Sequence, residues 1–391
     1  MIPHETIDNI CATVNPPQKL ETTEYQADGE FPIIDQSQSD VAGYTNNIAS
    51  TLPPDNYILF GDHTCTLKFI NKRFAQGADG LKILKCANGV DPKYIYYAMK
   101  SLNFKTERYK RHWSEFKQLS VPIPSLDTQH KIAGVLSALD DKIELNDKIN
   151  RKLNELARLI YDYWFVQFDF PDEHGRPYRA SGGKMVYNDL LKREIPEGWK
   201  AQMLSDLAHI VSGYPFKAST YTNDGYYKVI TIKNVKTGYI DSTTTDSIGT
   251  LPGNIPDECI LDIGDILISL TGNVGRVGRV YESNLLLNQR VGKITLKDVK
   301  YKSYTYLMIS SPASQQHMEQ LAGGSSQANL SPIQATKFHV VVPPSKILDS
   351  FNSIISPILA LDINNRRESK QLAQLRDWLL PMLMNGQVVV N

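Results

Sequence analysis

A chain of 391 residues can hold two or three domains, each with its own core. Hydrophobic residues make up 41% of it without any long uncharged apolar run, which excludes a membrane-spanning helix and any membrane partner. The formal net charge is zero, which argues against a protein that simply coats nucleic acid. Met1 to Ile10 lack the basic and apolar stretches of a secretory signal, so a cytoplasmic location is expected. The four cysteines (Cys11, Cys65, Cys86, Cys259) show no C-x-x-C and the eight histidines no H-x-x-x-H, so neither a disulfide framework nor a metal site is indicated.

The first stretch, 1–125, reads as a β-rich globular unit with a lopsided charge. Residues 1–62 carry one basic residue (Lys19) and ten acidic ones, a balance of −9; residues 63–125 carry twelve basic and four acidic, a balance of +8. Within the basic part, Lys105, Arg108, Lys110, Arg111, His112 and Lys117 form a cluster interleaved with aromatics such as Trp113, and Lys72, Arg73 and Gln76 add to it. Such a mixture suits nucleic acid, although each basic residue taken singly reads more readily as a solvated surface charge, and the cluster carries more weight than its members. Tyr94, Tyr96 and Tyr97 fall in a helix-like segment, 91–102, and read as core.

From Thr128 to Tyr163 apolar residues recur at alternating steps of four and three: Ile132, Val135, Leu139, Ile149, Leu153, Leu156 and Ile160. Lys142 and Asn146 occupy the remaining places, and Lys142 can snorkel outward. This is a heptad seam of roughly five repeats, far longer than an ordinary amphipathic core helix, and it predicts a spacer helix over 126–168. A polar connector with Pro171, Gly175, Pro177, Gly182 and Gly183 follows over 169–197. The second globular stretch, 198–344, has strand-like runs at Tyr227–Val235 and Cys259–Leu270 and glycine turns at Gly272, Gly275 and Gly278. A second seam then runs through Phe351, Ile354, Ile358, Leu361, Asn365, Leu372, Leu375 and Leu379, predicting a spacer helix over 345–386, kinked or delayed by Pro357. Asn146 and Asn365 hold equivalent seam positions, where a polar residue costs stability and fixes register. The two helices are expected to pair.

Weaker echoes run in the same order. Phe31–Ile34 answers Tyr227–Ile230, Gly43-Tyr44 answers Gly238-Tyr239, and Gly61-Asp62 answers Gly264-Asp265. Tyr94 answers Tyr304, and Val121–Pro124 answers Val341–Pro344. Collinear order makes an internal duplication of these chance-level matches.

Several runs resemble the specificity subunit of type I restriction-modification systems. They are Asp162-Tyr163-Trp164-Phe165-Val166-Gln167-Phe168-Asp169-Phe170-Pro171, then Gly175–Tyr178, Ser181–Met185, Ile195–Trp199, Thr271–Gly275, Leu287–Val291 and Gly324–Pro332. Phe60–Thr64 and Gly77–Gly80 form a smaller subset in the first unit, which lacks the T-G-N-V-G and G-S-S-Q-A-N-L-S-P segments. The resemblance implies an α+β fold: two similar α/β target-recognition domains separated by two long antiparallel helices forming a coiled coil, with a pseudo-twofold internal repeat. It further implies a non-catalytic subunit that needs no cofactor. Each domain would read half of a split site in double-stranded DNA. The chain would dock two modification (methyltransferase) subunits and, through them, the ATP-dependent restriction subunits.

A paired strut of nearly 40 residues spans on the order of 55 Å, and roughly 15 base pairs at about 3.4 Å each, so helix length can set the gap between two readers. Base reading needs donors and acceptors on projecting loops. In the second unit these are Lys217, Lys233, Arg276, Arg279, Gln289, Arg290, Ser325, Ser326, Gln327 and Asn329. Apolar residues left outside the seam, Leu136, Ile143, Leu159, Tyr161, Trp164, Phe165, Trp378, Leu380 and Leu383, are candidates for partner contact or for packing on the globular units.

Two rival readings stand beside this one. Asn15-Pro16-Pro17-Gln18 begins like the N-P-P-aromatic motif of adenine methyltransferases, but glutamine replaces the aromatic and no F-x-G-x-G loop accompanies it. The other rival is a scaffold that joins proteins through its coiled coil without touching DNA. No P-loop or dinucleotide fingerprint is present.

Overall fold

The computed structural model describes residues 2–105, 110–323 and 329–390. Two long helices, Leu126–Tyr161 of 36 residues and Ser345–Met384 of 40, run between and after two mixed α/β segments. The chain divides into two compact units, one made of Met1–Ile143 with Gln371–Asn391, the other of Glu144–Lys370. Both long helices therefore contribute one end to each unit.

In the first unit, Cys11–Val14, Leu81–Cys86, Tyr57–Gly61 and Leu67–Ile70 form an antiparallel sheet in that spatial order. A second sheet places Phe31–Ile34 between Gly43–Thr45 and Phe74–Gln76, the latter pairing in parallel, with Thr51–Leu52 at its edge. His4–Thr6 pairs with Ser120–Pro122 just before the first long helix. Alternate residues of these short strands, with the helix Pro92–Ser101, bury Ile58, Phe60, Leu84, Tyr94 and Ile95 against Ile132 and Leu136 of the first long helix and Leu380 and Leu383 of the second.

The second unit repeats this plan with an added strand. Lys200–Met203 pairs with His339–Val342 before the second long helix. Ala208–Ser212, Val291–Leu296, Ile266–Ser269 and Val277–Arg279 follow the order of the first sheet, and Ser247–Ile248, Tyr227–Ile230, Leu285–Leu287 and Ile260–Leu261 that of the second, including its one parallel pair. The Tyr94 hydroxyl donates to Pro122 O at 2.9 Å, and that of Tyr304 donates to Val341 O at the matching place. The duplication is thus one of hydrogen-bond topology. Two of the sequence echoes are corrected by it. Gly238–Tyr239 is a fifth strand on the larger sheet, whereas Gly43–Thr45 belongs to the smaller one. Gly61 closes its strand, whereas Gly264 precedes the equivalent strand.

In both units the long helices run antiparallel. In the first, Arg376 Nη1 meets Asp140 Oδ1 at 2.5 Å. In the second, Asn146 donates to Glu368 Oε2 at 2.8 Å, Asn365 donates to Asn150 Oδ1 at 2.9 Å, and Trp164 and Phe165 pack on Phe351. The buried stripe is displaced by one residue from the expected seam. Leu156, Ile354, Leu361 and Leu375 are exposed, while Leu136, Ala157, Tyr161, Ile355, Leu359 and Leu380 are buried. The helices face the globular segments as well as each other, and that wider contact turns the apolar arc. Of the other expected seam residues, Ile132, Asn146 and Phe351 are buried, and Val135, Leu139, Ile149, Leu153, Ile160, Ile358, Asn365, Leu372 and Leu379 are partly so. Pro357 neither delays nor ends its helix, its ring being exposed.

The first long helix ends in a π-turn, Asp162–Val166, which sets the adjacent Trp164 and Phe165 both inward. The connector beyond it is more ordered than a polar loop. Phe170 stacks on Tyr178 and Trp199, with ring centroids 4.7 and 4.9 Å apart, and Met185–Asn188 forms a hairpin with Arg193–Pro196. Gly183 is required there, because a Cβ would lie 2.5 Å from the Tyr178 ring.

Asn150, 1% exposed, joins the two helices by accepting from Asn365 and donating to Asp362 O at 3.4 Å. Asn150→Ala is expected to lower the unfolding free energy by about 1–3 kcal/mol; Lys148→Ala, on the exposed side, should change it by less than about 0.5 kcal/mol. Chemical denaturation of both variants checks the contrast.

Candidate nucleic-acid interface

In the second unit a turn, a glycine loop and a later segment meet at one polar cleft of about 640 Å³, lined by Thr271, Gly272, Gln289, Arg290 and Asn329 with Ile232 and Leu270 beneath. The turn after Leu285–Leu287 is fixed by Asn288, whose side chain accepts from Arg290 N at 3.2 Å and whose carbonyl accepts from Val291 N at 2.9 Å. Gln289 and Arg290 are left exposed. Leu270 links the parts, its amide donating to Arg290 O at 3.1 Å and its carbonyl accepting from Leu330 N at 2.8 Å. Gly272 and Gly275, at φ 71° and 78°, close the loop that carries the partly exposed Arg276. Lys233 is exposed beside Ile232, on a turn held by the Asn234 side chain, and Lys217 is exposed ahead of Ala218–Thr220.

The cleft offers amide, guanidinium and hydroxyl groups side by side, the set that reads base edges in a groove. No group of His, Cys, Asp or Glu able to hold a metal occurs among the described residues.

In the first unit, Asp62 organises the equivalent surface. Its buried carboxylate Oδ1 accepts from the amides of His112 at 2.9 Å and Trp113 at 2.7 Å, and its own amide donates to Gly80 O at 2.6 Å. The loops Phe60–Thr64 and Gly77–Gly80 and the basic segment are thereby tied together. Arg111 and Lys105 are exposed, Lys110 pairs with Glu115 at 2.6 Å, and Lys117 pairs with Asp8 at 3.0 Å. Lys72 is exposed and Arg73 donates to Thr51 Oγ1 at 3.0 Å. The turn matching Asn288–Arg290 carries Ala78 and Asp79 instead, and Asp79 is paired with Lys19 at 2.6 Å, which holds its carboxyl below the usual range.

Three expected readers face inward. Arg279 is 4% exposed and bonds Asp362 and Leu359 O; it ends an inner strand, where its flanking glycine permits backbone approach by Tyr239 rather than by a ligand. Gln76 lies buried on Phe74–Gln76, and His112 is buried under the loop that Asp62 anchors. Arg108, Ser325, Ser326 and Gln327 lie outside the described residues. Of the apolar partner-contact candidates, Leu159 and Trp378 are exposed and Ile143 partly so, while Leu136, Tyr161, Trp164, Phe165, Leu380 and Leu383 are core. Asp62 stands out in the sequence only within the Gly61-Asp62 echo and the Phe60–Thr64 run, with no sign of its anchoring role, and Asp140 and Asp362 not at all, because an isolated aspartate has no local signature and their partners are distant in the chain. Asn15, Pro17 and Gln18 are exposed at the end of Cys11–Val14.

Residues 6–155 and 196–374 match the family model described as the type I restriction modification DNA specificity domain. The chain is 26% identical over 365 residues to the specificity subunit of the type I restriction enzyme HindI of Haemophilus influenzae, covering 77% of this chain and 78% of that one. It is 24% identical to the MjaIX specificity subunit of Methanocaldococcus jannaschii, covering 78% and 71%. In fold it resembles the crystal structure of a type I restriction-modification S subunit from M. genitalium, with a TM-score of 0.58 at 20% identity, over 98% of this chain and 96% of the other.

Asp62→Ala strips the acceptor from two backbone amides. Hydrogen exchange at residues 112–113 is expected to speed up, with a loss of about 1–3 kcal/mol in stability. Protection at those amides equal to that of the parent chain would contradict the anchoring role.

Proposed function

The chain belongs to the type I restriction modification DNA specificity family, and from that premise we propose that each repeat reads one half of a bipartite site in double-stranded DNA. The observation that carries this reading is the shared strand order of the two repeats, each closed by an end of both long helices. One reader duplicated on a shared pair of helices suits a target of two parts at a set separation.

The two parts differ in sequence. Equivalent turns bear Gln289 and Arg290 in one repeat and Ala78 and Asp79 in the other, so the donor patterns offered to the bases are unlike. The second repeat reads through Gln289, Arg290 and Asn329, with Lys217, Lys233 and Arg276 on flanking phosphates; the first uses Arg111, Lys105 and Lys72 around the surface anchored by Asp62.

The helices set the gap and carry the partners. Leu159, Tyr163 and Val166 on the first and Ile354, Leu361 and Trp378 on the second are exposed apolar groups suited to docking a protein. Two modification subunits bind there, one per repeat, and restriction subunits join through them. Methyl transfer and ATP-driven cleavage belong to those partners, and this chain works in the cytoplasm without a cofactor. No described helix is long and apolar enough to cross a membrane.

The reading is tested by co-producing the chain with its modification subunit and sequencing the methylated adenines. A two-part motif with one fixed gap is expected, with no methyl transfer by the chain alone. Removing one heptad from each long helix, around Ile143 and Lys370, shortens the strut by about 10 Å, so the gap should contract by roughly three base pairs with both half-sequences kept. An unaltered gap would refute the ruler. Arg290→Ala should weaken binding by about 1–3 kcal/mol and relax one half-site only, as read by competition with duplexes mutated in either half.

A further inference from the structure

Each repeat contains one carboxylate on a long helix that receives a donor from the α/β segment and another from a helix. In the first, Asp140 accepts from the Tyr97 hydroxyl at 2.6 Å and from Arg376. In the second, Asp362 accepts from Arg279 Nη2 at 2.6 Å, from Asn154 Nδ2 at 2.8 Å and from Arg366 Nε at 3.3 Å. The Arg279 guanidinium also bonds Leu359 O at 2.9 Å and lies 4.7 Å from the Tyr306 ring centroid. Tyr97 sits on a helix and Arg279 on a strand, so the two repeats reach the same arrangement by different routes.

We propose that Asp140 and Asp362 are positioning residues that fix the angle at which each reader sits on the helices, and so limit the complex to one gap between half-sites. The inference rests on the two-reader function proposed above.

Apolar packing is non-directional, and a domain held by it alone can rock on a helix. A charge-assisted bond is directional, and Arg279 grips two successive helical turns at once, through Leu359 and Asp362. Asp362 is 1% exposed and Arg279 4%. Burying such a pair is costly, and apolar residues of the same size would commonly be as stable, so net stability does not account for it. Angular control does. One base pair advances only about 3.4 Å, so a small tilt at the helix brings a reader to the neighbouring step.

The test uses the complex with modification subunits and compares parent, Asp362→Asn and Asp140→Asn by sequencing methylated adenines. Asparagine keeps the volume and one acceptor but loses the charge. Both variants are expected to retain the parental half-sequences, while methylation at gaps one base pair longer or shorter rises about tenfold relative to the natural gap, the change that accompanies roughly 1.4 kcal/mol of lost positional preference. A purely stabilising role would lower methylation at all gaps in parallel, and that result would overturn the proposal. So would a changed half-sequence, which would make these groups part of the reader. If Asp362→Asn fails to accumulate, Tyr97→Phe, which removes a single hydroxyl, carries the same comparison for the first repeat. A parent complex with no two-part site would instead refute the underlying function, before any variant is compared.

Discussion

A helix of 36 or 40 residues in water needs an apolar partner along its length, and here each long helix has two. Ile132 and Leu136 join one core and Ala157 and Tyr161 another, while Leu348 and Phe351 join the second and Leu380 and Leu383 the first. Neither helix is a free-standing rod. Most helical stability comes from such packing rather than from propensity. The polar residues Asn146, Asn150, Asn365 and Asp362 then select register, because each is buried or half-buried and has partners only in one alignment.

The same economy governs the α/β segments. Each repeat has a scaffold of short strands whose inner residues are apolar, joined by polar turns. Asn288 and Asp62 do similar work on those turns: a side-chain oxygen accepts backbone amides and fixes the local backbone. The scaffold is shared between repeats and the turns are not, so the residues on the turns can differ without cost to the core.

Periodicity made the long helices legible, and collinear echoes made the duplication legible. Strands were less so, since many have only two to four residues and the pairing of Phe31–Ile34 with Phe74–Gln76 leaps over forty intervening positions. Arg279 was misjudged for a physical reason: an arginine between glycine-rich turns looks solvated until Asp362, 83 residues later, is seen beside it. The buried stripe lies one residue from the alternating four-and-three seam at several positions, since the pattern of a two-helix contact ignores the third surface that each helix touches. The aspartates that fix loops and helices have no periodic signature at all.

The first repeat borrows Leu380, Leu383 and Met384 from beyond the whole of the second. During synthesis its face at Ile132 and Leu136 stays wet until the ribosome has made everything through Lys370 and then the last helical turns. The N-terminal half, although translated first, therefore cannot complete its core until residues 380–384 have been made, after the whole of the second.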